Sequence, residues 1–89
     1  SFKEKVYTVK NFEFKNIENG LSPTASSIKN VRIFGPRADM DKLSSADLYA
    51  VADLSGKTAG EYTVAVRIYS KKFNTVWQLG TYNVVVTIK

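Results

Sequence analysis

The sequence contains no cysteine and no histidine. Without cysteine there can be no disulfide, zinc–thiolate site or thiol nucleophile, so a small chain folds here with no covalent staple. Without histidine it lacks the commonest general base, the commonest metal ligand and the one side chain that ordinarily titrates near neutrality. Glycine and proline are sparse, at five and two residues, and no low-complexity run occurs, which argues against a disordered linker. No segment approaches the ~20 consecutive apolar residues of a membrane span, and no signal-peptide hydrophobic region is visible. Any membrane anchor is therefore expected outside residues 1–89. Glycine-rich phosphate loops are missing, and Ser55–Gly56 lacks the Gly-x-Ser-x-Gly frame of a serine nucleophile. A hydrolase would have to work with lysine, tyrosine or carboxylates, and no two such groups stand in a recognisable motif. No catalytic residue, cofactor site or metal site is expected.

What remains describes an ordered globular domain. The 89 residues are 44% apolar and 12% aromatic. A chain of this length hides roughly 60–65% of the surface its unfolded form exposes, enough for one modest core. The net charge is +5 and the pI near 9.6, but the thirteen basic residues run from Lys3 to Lys89 with acidic neighbours between them, and only Lys71 and Lys72 are adjacent. That scatter suggests a mixed solvated surface more than the single basic stripe of a nucleic-acid binder.

Period-two alternation dominates the pattern. Tyr62, Val64, Val66 and Ile68 share one face of a strand, and Tyr82, Val84, Val86 and Ile88 repeat the motif near the C-terminus. Leu48–Leu54 is apolar on both faces until Asp53, as expected for a central or barrel strand. Asn30–Phe34 places Val31 and Ile33 on one face and Arg32 and Phe34 on the other. At the N-terminus Tyr7 and Val9 share one phase, but Phe12 and Phe14 the opposite one. A β-bulge near Lys10–Asn11 within one long bent strand, about Lys5 to Lys15, would reconcile them. A helix of roughly two turns is expected after Gly35–Pro36, burying Met40 and Leu43. The expectation is an all-β, barrel-like or sandwich domain with five or six strands and one short helix.

Few side chains suggest chemistry. Asp39 and Asp41 would point about 200° apart on a helix, so they are read as helix N-terminal carboxylates favouring the dipole, not as a cation site. Asp53 interrupts an apolar strand just before a turn and is expected to accept N–H bonds across Leu54–Gly56. Gly35, Pro36, Gly56 and Gly60 are read with it as structural turn residues. Arg37 at a helix start suggests either an ion pair with Asp41 or an exposed partner contact.

The order of these segments resembles the YbbR-domain family. Phe12-Glu13-Phe14-Lys15-Asn16-Ile17-Glu18-Asn19-Gly20-Leu21 is similar to that family's opening strand and turn. Phe34 to Leu48, FGPRADMDKLSSADL, resembles its Gly-Pro and short helix. Ala50-Val51-Ala52-Asp53-Leu54-Ser55-Gly56 and Gly60-Glu61-Tyr62-Thr63-Val64 resemble its Val-Asp-Leu-Ser-Gly and Gly-x-Tyr stretches. The resemblance covers about residues 9 to 89. It departs at Leu79-Gly80-Thr81, where the family often has Ser-Pro, and at the unusually aromatic segment Phe73–Leu79. The resemblance implies a small β-barrel with swapped-hairpin connectivity, with residues 1–89 forming one repeat among neighbouring repeats of a membrane-anchored parent. It further implies a location on the extracytoplasmic face of a bacterial membrane and a regulatory, non-catalytic role toward a membrane diadenylate cyclase.

Lys71, Lys72, Phe73 and Trp77, with Arg37, are the candidate protein contacts. Aromatic rings beside basic residues can anchor a protein partner or stack on single-stranded RNA, and Phe73 and Trp77 can equally close the end of the core. An RNA-binding β-barrel using this basic and aromatic surface is the alternative function.

Overall fold

The computed structural model describes residues 1–89, of which 57% lie in strands. The strands are β1 (Phe2–Val9), β2 (Phe12–Lys15), β3 (Pro23–Ala25), β4 (Ile28–Pro36), β5 (Leu48–Asp53), β6 (Gly60–Ser70), β7 (Trp77–Leu79) and β8 (Tyr82–Ile88). One helix, α1 (Arg37–Met40), and a 3₁₀ turn, Ser45–Asp47, lie between β4 and β5. The domain is mainly β with a single short helix, built as a curled half-barrel sheet and a second sheet.

The smaller sheet has the order β1-β4-β7 and the larger β2-β5-β6-β8-β3. All pairings are antiparallel except β2 with β5. Alternation sets the inward faces: Leu48, Ala50 and Ala52 of β5, Val64, Val66 and Ile68 of β6, and Val84, Val86 and Ile88 of β8 are all buried. Opposite them the smaller sheet contributes Tyr7, Val9, Val31 and Ile33, and Met40 and Leu43 cover one end. Every buried residue is apolar apart from the Tyr7 hydroxyl, which donates to the Leu43 carbonyl at 3.4 Å. Tyr82 bridges the two sheets. Its hydroxyl accepts the Arg32 N–H at 2.8 Å and donates to the Leu79 carbonyl at 2.6 Å.

Several expectations need correction. The segment Lys5–Lys15 is not one bent strand: the chain leaves the smaller sheet after Val9 and enters the larger at Phe12. Tyr7 and Val9 serve one sheet and Phe12 and Phe14 the other, so their opposite phases need no bulge between them. The register irregularity falls earlier, between Tyr7 and Val9. Asn11 secures the crossing by donating to the carbonyls of Ala46 and Leu48 at 3.3 and 3.2 Å. The strand read as Asn30–Phe34 runs from Ile28 to Pro36, with the expected buried face. The helix has one turn, and Leu43 packs just beyond it.

Gly35 and Pro36 end β4 and do not form a turn. The glycine is required for another reason. A Cβ at Gly35 would lie 2.6 Å from Val76 Cγ1 and 3.2 Å from the Thr75 carbonyl oxygen, so the following loop is seated directly on the strand backbone. Gly56 does sit in a turn, at φ +72°, where an L side chain is strained. Gly60 begins β6.

Candidate protein-contact surface

All the sequence candidates except Arg37 lie on and beside the loop from Lys71 to Val76. Its geometry follows from β6: the Ser70 Oγ accepts the N–H groups of Lys72 and Phe73, both at 3.0 Å, folding the chain back at the strand end. Lys71 N–H donates to the Asp47 carbonyl at 2.8 Å, and the Thr75 hydroxyl donates to the Asp39 carboxylate. Phe73 and Val76 pack against the core, so Phe73 is a seat for the loop rather than an exposed anchor. Lys71 and Lys72 are exposed.

Trp77 follows on β7 and is 47% exposed. It pairs across the sheet with Phe34, and Phe34 pairs with Glu4 on the far strand. The outward phase of these three strands gathers an aromatic cluster: Phe2 stacks on Phe34 with centroids 5.4 Å apart, and Trp77 meets Phe34 edge-on at 5.3 Å. Phe2 and Val6, 54% and 59% exposed, extend the apolar face along β1. Between them the Arg32 guanidinium grips Glu4 through two bonds, at 2.7 and 3.2 Å, and this hydrogen bonding holds the Glu4 carboxyl below its ordinary range.

Arg37 stands apart from the loop. Its Nε donates to the Ser1 Oγ at 3.1 Å, and the expected ion pair with Asp41 is replaced by Lys3–Asp41 at 2.7 Å. Asp41 lies at the C-terminal end of α1, which corrects its assignment to the helix N-terminus, while Asp39 occupies the first turn. The Lys3 hydrogen bond lowers the Asp41 pKa. Sequence reasoning overlooked Phe2 and Val6 as contact residues, although the out-of-phase Phe34 in NVRIF was a legible sign of an aromatic outer face.

Behind Trp77 an open groove of about 630 Å³ separates β7 from the end of β6. Tyr69 and Arg67 stand exposed on its β6 bank. Gln78 spans it: its Oε1 accepts the Ile68 N–H at 2.7 Å, and its Nε2 donates to the Gly80 carbonyl at 2.9 Å.

Asp53 occupies a different place, at the end of β5. One oxygen, Oδ1, accepts from Ser55 N–H at 2.9 Å, Ser55 Oγ at 2.6 Å and Asn16 Nδ2 at 3.0 Å. Asn16 has φ 59°, so β2 ends in a left-handed residue whose amide is held by the carboxylate. Led by the Asn16 and Ser55 side-chain hydrogen bonds, these interactions lower the Asp53 pKa from 3.8 to about 2. Because the folded value lies below the ordinary one, the charged form stabilises the fold above that ordinary value, and the contribution disappears as pH falls through about 2. In urea titrations at successive acidic pH values, the native midpoint should fall across this window and Asp53→Asn should lose that part of the fall. Identical pH slopes would remove the role.

The YbbR-like protein family model matches residues 7–88. The chain belongs to the YbbR-like family. No curated protein matches it in sequence. Among solved structures it is similar to a YbbR-like domain from Listeria monocytogenes, with TM-score 0.59 and 16% identity over 98% of this chain and 93% of that one. It is also similar to a YbbR-like protein from Streptococcus pneumoniae, with TM-score 0.61 and 14% identity over 99% of this chain and 47% of the other. The chain thus spans about half the length of the pneumococcal chain. At these identities the two structures establish a shared YbbR-like fold. No helix of this chain is long and apolar enough to cross a membrane.

Proposed function

We propose that this YbbR-like domain is a non-catalytic protein-contact module, one repeat of a membrane-anchored bacterial parent, which modulates a membrane diadenylate cyclase from the extracytoplasmic side. The observation that supports contact is the Phe2–Phe34–Trp77 cluster, three rings held on a rigid sheet face with two of them about half exposed. Aromatic anchors of this kind carry most of the energy in protein interfaces. The cyclase and its side of the membrane are carried by family membership and by the resemblance of the Asn16–Gly20 and Ala50–Gly56 motifs.

The RNA reading has less support on this face. The rings pack on one another instead of standing free for bases, and the nearby cations Arg32 and Lys3 are already paired with Glu4 and Asp41.

Trp77→Ala tests the contact. A half-exposed ring should cost about 1–2 kcal/mol of stability, less than the ~3–5 kcal/mol of a buried one. Binding should weaken by about 2 kcal/mol or more. The readout is product formation by a diadenylate cyclase in membrane vesicles, with the parent protein carrying the native or the substituted domain. A folded variant that modulates the cyclase as well as the native protein would remove Trp77 from the contact.

A further inference from the structure

β6 changes partner along its length, so no residue of it is paired on both edges. β8 pairs with it from Gly60 to Val66, whereas Arg67–Ser70 are paired on the β5 side alone. On the open side the Ile68 N–H is satisfied by the Gln78 side chain, an amide carbonyl doing what a neighbouring backbone carbonyl would do. This short free edge forms one bank of the groove, and Trp77 lies on the other.

The groove's charge is one-sided. No carboxylate lines it, Arg67 is the one charged residue that does, and neither Arg67 nor Lys71 and Lys72 beside the groove has a carboxylate within ion-pair distance. The lysines rest over aromatic rings instead, Lys71 Nζ at 5.9 Å from the Tyr49 ring centre and Lys72 Nζ at 5.7 Å from that of Phe73. Lys72 Nζ also donates to the Lys42 carbonyl at 3.3 Å, a neutral acceptor, so all three cations can take an anionic ligand without breaking an ion pair.

We infer that the groove receives an extended acidic peptide segment of the partner, which pairs its backbone with the free β6 edge at Ile68–Ser70 in place of Gln78. This deepens the protein-contact reading and rests on it. The backbone bond exchanges one amide carbonyl for another, so displacing Gln78 is nearly neutral at that atom. The gain comes from carboxylates meeting Arg67 and the two lysines, and from alternate side chains covering Tyr69 and Trp77.

Trp77 is the only tryptophan in the chain, so its emission reports directly on the groove. The probe is a capped hexapeptide alternating aspartate and valine. Its addition should shift Trp77 emission saturably, move the Ile68 amide resonance, and weaken as salt rises. Arg67→Ala should weaken binding about tenfold. Gln78→Ala should tighten it severalfold, because no amide has to be displaced; a purely structural glutamine would give no gain. Circular dichroism establishes that both variants remain folded.

Three results would overturn the inference. One is no saturable change up to millimolar peptide. The second is equal binding of the same aspartates spaced by proline, which cannot pair as a strand. The third is tighter binding of polyuridylate than of the peptide, which would make the groove a nucleic-acid site. A Trp77→Ala variant that still fails to modulate the cyclase while the peptide does not bind would preserve the contact and reject only its acidic-strand occupant.

Discussion

A chain ending at Gly80 is expected not to fold. The deletion removes β8, whose Val84, Val86 and Ile88 belong to the single buried cluster and whose backbone pairs with β6 on one edge and β3 on the other. It also removes Tyr82, which ties the larger sheet to β4 and β7 of the smaller one through Arg32 and Leu79. What is left exposes the edge of β6 along seven paired residues and leaves β3 with no partner. Three or more strands with a buried face are needed for independent stability, and here the inward faces of β6 and of the smaller sheet would lose their cover and open to water. The check is the proton–nitrogen correlation spectrum, which should collapse to the narrow dispersion of an unfolded chain. Retained native dispersion would show that β8 is dispensable.

The second large effect is expected from Leu48→Ala. Leu48 is fully buried at the start of β5, and its neighbours along the inward face are the small Ala50 and Ala52, which cannot move in to fill a cavity. The loss should be about 3 kcal/mol, within the usual range for a buried leucine. Domains of this size have on the order of 5–9 kcal/mol in total, so the variant should keep about half of its stability. Urea unfolding followed by circular dichroism should give a lower midpoint with an unchanged slope. A change below about 1 kcal/mol would mean that the site collapses around the alanine.

The core was legible because its residues repeat every second position: the inward faces of β6 and β8 can be read directly from Val64, Val66, Ile68, Val84, Val86 and Ile88. The two three-residue strands were not. Pro23–Ala25 and Trp77–Leu79 are too short to show a period, and their partners lie far away in sequence, at Val86–Ile88 and Arg32–Phe34. The phase conflict between Tyr7–Val9 and Phe12–Phe14 was visible, but its resolution by a change of sheet depends on Asn11 reaching Ala46 and Leu48. The contact surface was legible only in part. Trp77 could be singled out by type, whereas its companionship with Phe2 and Phe34 exists only once three strands are in register. Phe73 belongs to the same aromatic run, yet packs inward because Ser70 turns the loop back toward the core.

The pairing of β3 with β8 joins Pro23 to Ile88, and β2 with β5 joins Phe12 to Ala50. Contacts so distant along the chain close large loops before any stabilising interaction is gained, and proteins rich in them fold in milliseconds to seconds rather than microseconds. The antiparallel pairs β5–β6 and β6–β8 span much shorter separations and are placed to form first. The mutual backbone bonds of Ser22 and Lys89, at 2.8 and 3.0 Å, then belong to the last stage of assembly. Substitutions in β3 should therefore change the rate of unfolding and leave the rate of folding nearly untouched.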